Sequence, residues 1–240
     1  MENPVKSIII TLQLLGWWLA SNLHPYIAFA VHQCSRIKHN PWWSHKVALK
    51  QIAWYLKGKR DKGMKIKPST MLNLNWYEDA DFAGLWSAEL ANNLMCIRSQ
   101  MGYILLLEGV PVSWSSKLQS KISLSTTETK YSTDMKDLFQ LGHLVEKMIV
   151  ALGITRSPEE KLSDVFEDNR GSLKLANTEM PMTIHRTKHY AIELNWFQEH
   201  WVPIQIKVKA VDTKIQLADI FTKGLETQDF ESKRRLNIGR

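Results

Sequence analysis

Three short acidic stretches hold the residues best suited to chemistry. They are Trp76-Tyr77-Glu78-Asp79-Ala80-Asp81-Phe82-Ala83-Gly84, Phe166-Glu167-Asp168-Asn169 and Leu217-Ala218-Asp219-Ile220-Phe221-Thr222-Lys223. Carboxylates are hard oxygen donors, and several brought together hold divalent cations. The first stretch follows Leu72-Asn73-Leu74-Asn75-Trp76, where apolar and polar residues alternate as in a strand with one buried face. Such a strand either ends in a solvated acidic turn or delivers its carboxylates to a sheet edge, where they converge on a metal with partners from elsewhere. A fourth stretch, Ser125-Thr126-Thr127-Glu128-Thr129-Lys130-Tyr131, opens an expected helix with one carboxylate and one ammonium. Other constellations offer less. His185 and His189 have helix-face metal spacing that Glu193 extends by a turn, but no cysteine lies nearby. Ser125 has no positioned histidine in sequence, and there is no glycine-rich phosphate loop.

The elements that must position these residues can be read along the chain. Residues 8–35 form two apolar helical stretches broken near Asn22-Leu23-His24-Pro25, because proline lacks an N–H and disfavours helix in the residue before it. Asn40-Pro41 is a helix start, and that helix runs to about Leu56 and stops at Lys57-Gly58. Its Lys46, Lys50, Trp54 and Lys57 share one face, a basic stripe with an aromatic. Residues 58–70 form a basic linker, and residues 88–99 read as a polar loop. Strands are expected at 102–107 and 110–115, joined by a turn at Glu108-Gly109. A long helix spans 126–152, a short strand 162–167, and Asp168-Asn169 begins a helix through Ala176. A helix over 187–201, a half-buried strand over 204–210 and a last helix from Thr213 carrying Asp219 complete an α/β arrangement.

Composition bounds the answer. At 240 residues with 44% hydrophobic and 23% charged, the chain holds one domain with a good core, or one and a smaller partner. The net charge of +7 is concentrated, for Arg36 to Lys67 contains ten lysines and arginines against a single acid, Asp61. Such a block is either a solvated face or a contact for a polyanion, on which Lys and Arg release counterions. Cys34 and Cys96 make no disulfide framework, which fits a reducing, intracellular compartment. The apolar run from Ile8 to Ala20 imitates a signal peptide, but Thr11, Gln13 and Gly16 interrupt it and no clean cleavage site follows. It reads as a core helix too short to span a membrane.

The order, spacing and flanks of these segments resemble the ribonuclease H region of copia-type LTR retrotransposon polyproteins. Arg98-Ser99 before Gly102-Tyr103-Ile104, and Ser113-Trp114-Ser115-Ser116-Lys117, match that family's second and third strands. Arg186-Thr187-Lys188-His189 then reads as its structural motif, not a metal site. Pro25-Tyr26-Ile27-Ala28-Phe29-Ala30-Val31, Ser35-Arg36 and the helix ending Tyr55-Leu56-Lys57-Gly58 resemble the segment linking reverse transcriptase to ribonuclease H. The polymerase signature Tyr-x-Asp-Asp is absent.

The resemblance implies a ribonuclease H-like mixed sheet with flanking helices at 70–228, preceded by a helical connection-like segment at 1–66 and followed by a tail at 229–240. It implies hydrolysis of RNA in RNA–DNA hybrids by two Mg²⁺ ions about 3.5–4 Å apart, with the polymerase part of a reverse transcriptase as a further partner and no membrane. The ligand positions fall on Asp79, Lys130, Asp168 and Asp219, and the second departs from the pattern because an ammonium replaces the family's glutamate. The helix is also about three residues short after Tyr131, which turns its later face by roughly 60° and makes Glu128 a candidate substitute. Ala191 stands where the family has aspartate. Lys46, Lys50, Lys57, Lys59, Arg60 and Lys62 are the expected nucleic-acid contacts. Three functions stay open: an impaired ribonuclease H, a binding module without catalysis, and a decayed element remnant.

Overall fold

A computed structural model describes residues 4–36, 43–66, 73–84, 94–120, 122, 142–145, 147–148, 150–153, 163–176, 199 and 206–238. Helix α1 (Pro4–Asn22) ends where the His24-Pro25 break was expected, and Pro25 opens a 3-10 turn over Pro25–Ile27. Helices α2 (Ala28–Ser35) and α3 (Trp43–Gly58) follow. The start at Asn40-Pro41 lies outside the described residues.

Five strands make one sheet: β1 (Leu74–Asp81), β2 (Gln100–Leu107), β3 (Val110–Leu118), β4 (Ser163–Glu167) and β5 (Ile206–Ala210). A four-residue helix, α4 (Leu94–Ile97), lies in the expected loop. The spatial order is β3-β2-β1-β4-β5, with β1, β2 and β3 antiparallel and β1, β4 and β5 parallel. This is the mixed sheet with flanking helices that the resemblance implies. Glu108 and Gly109 both have positive φ, 50° and 76°, the two-residue hairpin geometry whose twist matches the flanking strands.

The two faces of the sheet bury different partners. Ile104 and Leu106 pack in one cluster with Ala20, Tyr26, Ile27 and Val31 from the N-terminal helices and Leu217, Ile220, Phe221 and Ile238 from the C-terminal region. The indole N–H of Trp114 donates to Ala20 O at 2.6 Å, tying β3 to α1. On the opposite face Trp76 lies against Gly142, where an added Cβ would be 3.2 Å from the indole. Residues 142–145, 147–148 and 150–151 are helical, as expected; the start of that helix, with Glu128 and Lys130, lies outside the described residues. The expected helix at 187–201 also lies outside them except for Glu199, which is helical.

The last helix does not start at Thr213. Two 3-10 turns, Thr213–Ile215 and Leu217–Phe221, precede a true helix further on, α6 (Thr227–Ile238); α5 (Arg170–Ala176) precedes β5. The cause is Gln216, whose extended backbone (ψ 104°) interrupts the helix while its side chain bridges two strands. Its amide donates to Glu78 O at 3.0 Å and Phe166 O at 3.4 Å and its oxygen accepts from Ala218 N. Residues 229–238, within the expected tail, belong to α6, and Lys233, Arg234, Asn237 and Ile238 on it are buried.

Candidate metal centre

Strands β1 and β4 run side by side, with Tyr77 paired to Phe166. Continuing that register by two residues brings Asp168, just past the end of β4, level with Asp79. Ligands gather at such carboxyl ends, where the chain leaves neighbouring strands to opposite sides. On the other side of β1, Asp79 is paired with Gly102. A Cβ on Gly102 would lie 2.3 Å from Phe221 Cβ, so glycine lets the Leu217–Phe221 turn settle onto the sheet. The Ser116 hydroxyl fixes that turn by donating to Phe221 O at 2.6 Å. Asp219 is thereby delivered beside Asp79. One carboxylate oxygen from each of Asp79, Asp168 and Asp219 lies within 4.8 Å of the others.

Polar and cationic groups hold the cluster. The Thr222 hydroxyl donates to Asp79 Oδ2 at 2.5 Å, and Thr213 Oγ1 donates to Asp168 Oδ2 at 3.2 Å. Lys223 Nζ lies 2.6 Å from Asp219 Oδ1 and 3.5 Å from Asp79 Oδ2. Lys233, only 1% exposed, places Nζ 3.2 Å from Asp219 Oδ2 and donates to Thr213 O and Lys214 O at 3.0 Å each. Burial, reinforced by the Asp79 charge and countered by the two lysines, pushes the Asp219 carboxyl up to about 6. Burial and the nearby Asp79 also raise Asp81. Burial works to lower the Lys223 ammonium, but Asp79 and Asp219 outweigh it and raise it. The donor set fits a hard divalent cation: three carboxylates converge and Asp79 and Asp219 are buried.

The structure therefore brings together Asp79, Asp168 and Asp219 from remote parts of the sequence. Lys130, Glu128, His185, His189, Glu193 and Ala191 lie outside the described residues. In the basic block, Lys50, Lys57, Arg60 and Lys62 are exposed, whereas Lys59 pairs with Glu231 at 3.2 Å and Lys46 sits 4.5 Å over the Trp43 ring. Trp43 and Trp54 are 71% and 68% exposed, so Trp54 is a surface residue of the stripe. Sequence reasoning missed Thr222, Lys223 and Lys233. The four-residue spacing of Asp219 and Lys223 was a signal for one of them. Lys233 has the same spacing to Asp229 on its own helix, but nothing in the sequence pointed to Asp219 or to the carbonyls of the separate turn that it also binds.

No family model matches the chain. It is 31% identical over 229 residues, 95% of its length, to the retrovirus-related Pol polyprotein from transposon RE1 of Arabidopsis thaliana, and spans 14% of that protein. It is also 31% identical over 215 residues to the corresponding polyprotein from transposon TNT 1-94 of Nicotiana tabacum, covering 88% of this chain and 15% of the relative. Among solved structures, LC11-RNase H1 isolated from compost superposes on 68% of this chain and 98% of its own with a TM-score of 0.45 and 12% identity.

Proposed function

Since this chain belongs to the copia-type family of retrovirus-related Pol polyproteins, we propose that it is that family's ribonuclease H region, directed at RNA–DNA hybrids through Mg²⁺ held by Asp79, Asp168 and Asp219. The observation that carries this reading is the convergence of those three carboxylates at the ends of two parallel strands. Divalent ions in such a site activate water and stabilise the leaving oxygen of a phosphodiester. The chain's own groups prepare the site. Thr222 orients Asp79, Thr213 steadies Asp168, and Lys233 holds Asp219.

Lys130 at the family's glutamate position weakens this activity. Replacing a carboxylate by an ammonium changes the local charge by two units. Unit charges about 4 Å apart at an effective dielectric of about 20 interact by about 4 kcal/mol before screening. A third of that is about a tenfold loss of metal affinity, and the lost ligand adds to it. Little or no Mg²⁺-dependent hybrid cleavage is the expected outcome for the chain as written. Lys130→Glu restores part of it, and Asp168→Asn abolishes what is restored. Full cleavage by the unmodified chain, lost in Asp168→Asn, would show that position 130 is not where the ligand belongs.

The same residue supports a second reading, a nucleic-acid-binding module without catalysis. Under it neither form cleaves, yet hybrid binding persists with a steep salt dependence; a decayed remnant shows neither. The Arg36–Lys67 block supplies the contact surface in both binding readings, with Lys46, Lys50, Lys57, Lys59, Arg60 and Lys62 on the phosphates. The partner implied by the family is the polymerase portion of the same polyprotein. The exposed Leu14, Leu15, Trp17 and Trp18 of α1 support a packing face for it. Co-purification of the two portions should fail once Trp17 and Trp18 are replaced by serine. Among the described residues no helix is long and apolar enough to cross a membrane.

A further inference from the structure

The acidic cluster contains two lysines in very different situations. Lys233 is fixed, 1% exposed and bound to two backbone carbonyls as well as to Asp219 and Asp229. The side chain of Lys223 is 38% exposed, and among the described residues its ion pairs are with the carboxylates Asp219 and Asp79. Its backbone N–H is anchored to Asp219 O at 3.2 Å, so the ammonium reaches the cluster from a tethered base. The cavity of about 490 Å³ that Lys223 borders is mostly apolar, with Ile27, Phe29, Ile220 and Leu225 in its lining, so the open direction for an ammonium is the solvent that the side chain already meets. The side chain has somewhere to go.

We propose that Lys223 is the exchangeable cation of this site: its ammonium bridges Asp79 and Asp219 in the metal-free chain, and a divalent ion displaces it into solvent. The inference rests on reading the three aspartates as metal ligands. Three carboxylates within 4.8 Å repel one another, and a cation among them offsets that repulsion while the metal is absent. Charge alone does not distinguish the two lysines, because both neutralise Asp219. Exposure and partners do, since Lys223 can leave for water without giving up any bond to a backbone carbonyl, whereas the buried Lys233 would give up two. Lys223 thus acts as a positioning residue. It keeps the ligand oxygens converged and sets the divalent affinity through the competition it imposes.

The test measures Mg²⁺ binding by titration calorimetry, and thermal unfolding with and without chelator, on the full chain and on Lys223→Met and Lys223→Arg. Lys223→Met should bind Mg²⁺ about tenfold more tightly and melt several degrees lower in chelator, with most of that deficit recovered in saturating Mg²⁺. Lys223→Arg should retain weak binding. A purely structural lysine would lower the melting temperature without tightening Mg²⁺ binding. Lysine footprinting of the unmodified chain by an amine-acylating reagent needs no variant to fold. Labelling of Lys223 should rise on adding Mg²⁺, while Lys233 stays protected. Equal Mg²⁺ affinity in parent and Lys223→Met, with binding lost in Asp168→Asn, overturns this inference and leaves the metal reading standing. So does a Mg²⁺-independent footprint in a chain that binds the ion. Binding by no form overturns both.

Discussion

Asp219 is the residue at which burial and charge compete most openly. Its carboxyl titrates near 6 because burial and Asp79 disfavour the anion more than Lys223 and Lys233 favour it. The sign follows directly. The folded chain binds a proton at this position that the unfolded chain has already released above about pH 4. This group therefore erodes the stability of the metal-free fold as pH rises from about 4 to about 6. Metal binding has the opposite slope, since it needs the carboxylate: Mg²⁺ affinity should fall roughly tenfold between pH 7 and pH 5 and flatten above pH 7. Calorimetric titrations across that range check it, and a flat profile would remove Asp219 from the ligand set. The three aspartates were legible in the sequence because each sits in a segment whose flanks and order are distinctive. Thr222 and Lys223 were printed in the same segment as Asp219, yet their roles depend on a 3-10 turn that no helical periodicity reveals. Lys233 was illegible for a harder reason: its function is to fill the space behind a carboxylate that folding brings to it.

At the scale of elements, the Leu217–Phe221 turn is what the sequence disguised. Its apolar residues suit a helix, but Gln216 is needed between β1 and β4 and stops one from forming. The hairpin at Glu108-Gly109 was easier, because a glycine in a short turn between apolar runs has few other meanings. The close approach at Gly102 supplies a prediction. In Gly102→Ala the methyl would overlap Phe221, so the turn must lift and Asp219 must leave Asp79. Overpacking of this kind costs about 1–3 kcal/mol. Chemical denaturation should show that loss, and Mg²⁺ binding should weaken with it. Unchanged metal affinity would mean that the turn does not position the ligand.

At the scale of the whole molecule, one hydrophobic cluster joins the N-terminal helices, the sheet and α6. The boundary expected between 1–66 and 70–228 is therefore a boundary in composition, crossed by packing. We predict that 70–228 expressed alone shows a broad, low-temperature melt by circular dichroism, and that 70–240 improves it only in part without α1 and α2. A sharp transition for 70–228 alone would refute this. The basic block was visible as composition from the start, but only the fold shows that Trp43 and Trp54 stand exposed beside its lysines. Reversing Lys46, Lys50 and Lys57 to glutamate should lower hybrid affinity and reduce the slope of log K against log salt by about 3, near one unit per lost phosphate contact. An unchanged slope would return the stripe to a solvated face. The parallel pairing of β1 with β4 has a consequence in time. The two strands are separated by more than eighty residues, and the buried lysine behind Asp219 is made later still. Closing so long a loop is slow, and ribosomes add only about 5–20 residues per second. A nascent chain therefore passes several seconds with its first aspartate synthesised and no site to belong to. The three carboxylates can converge only late in the synthesis of the polypeptide, once Asp219 has been made.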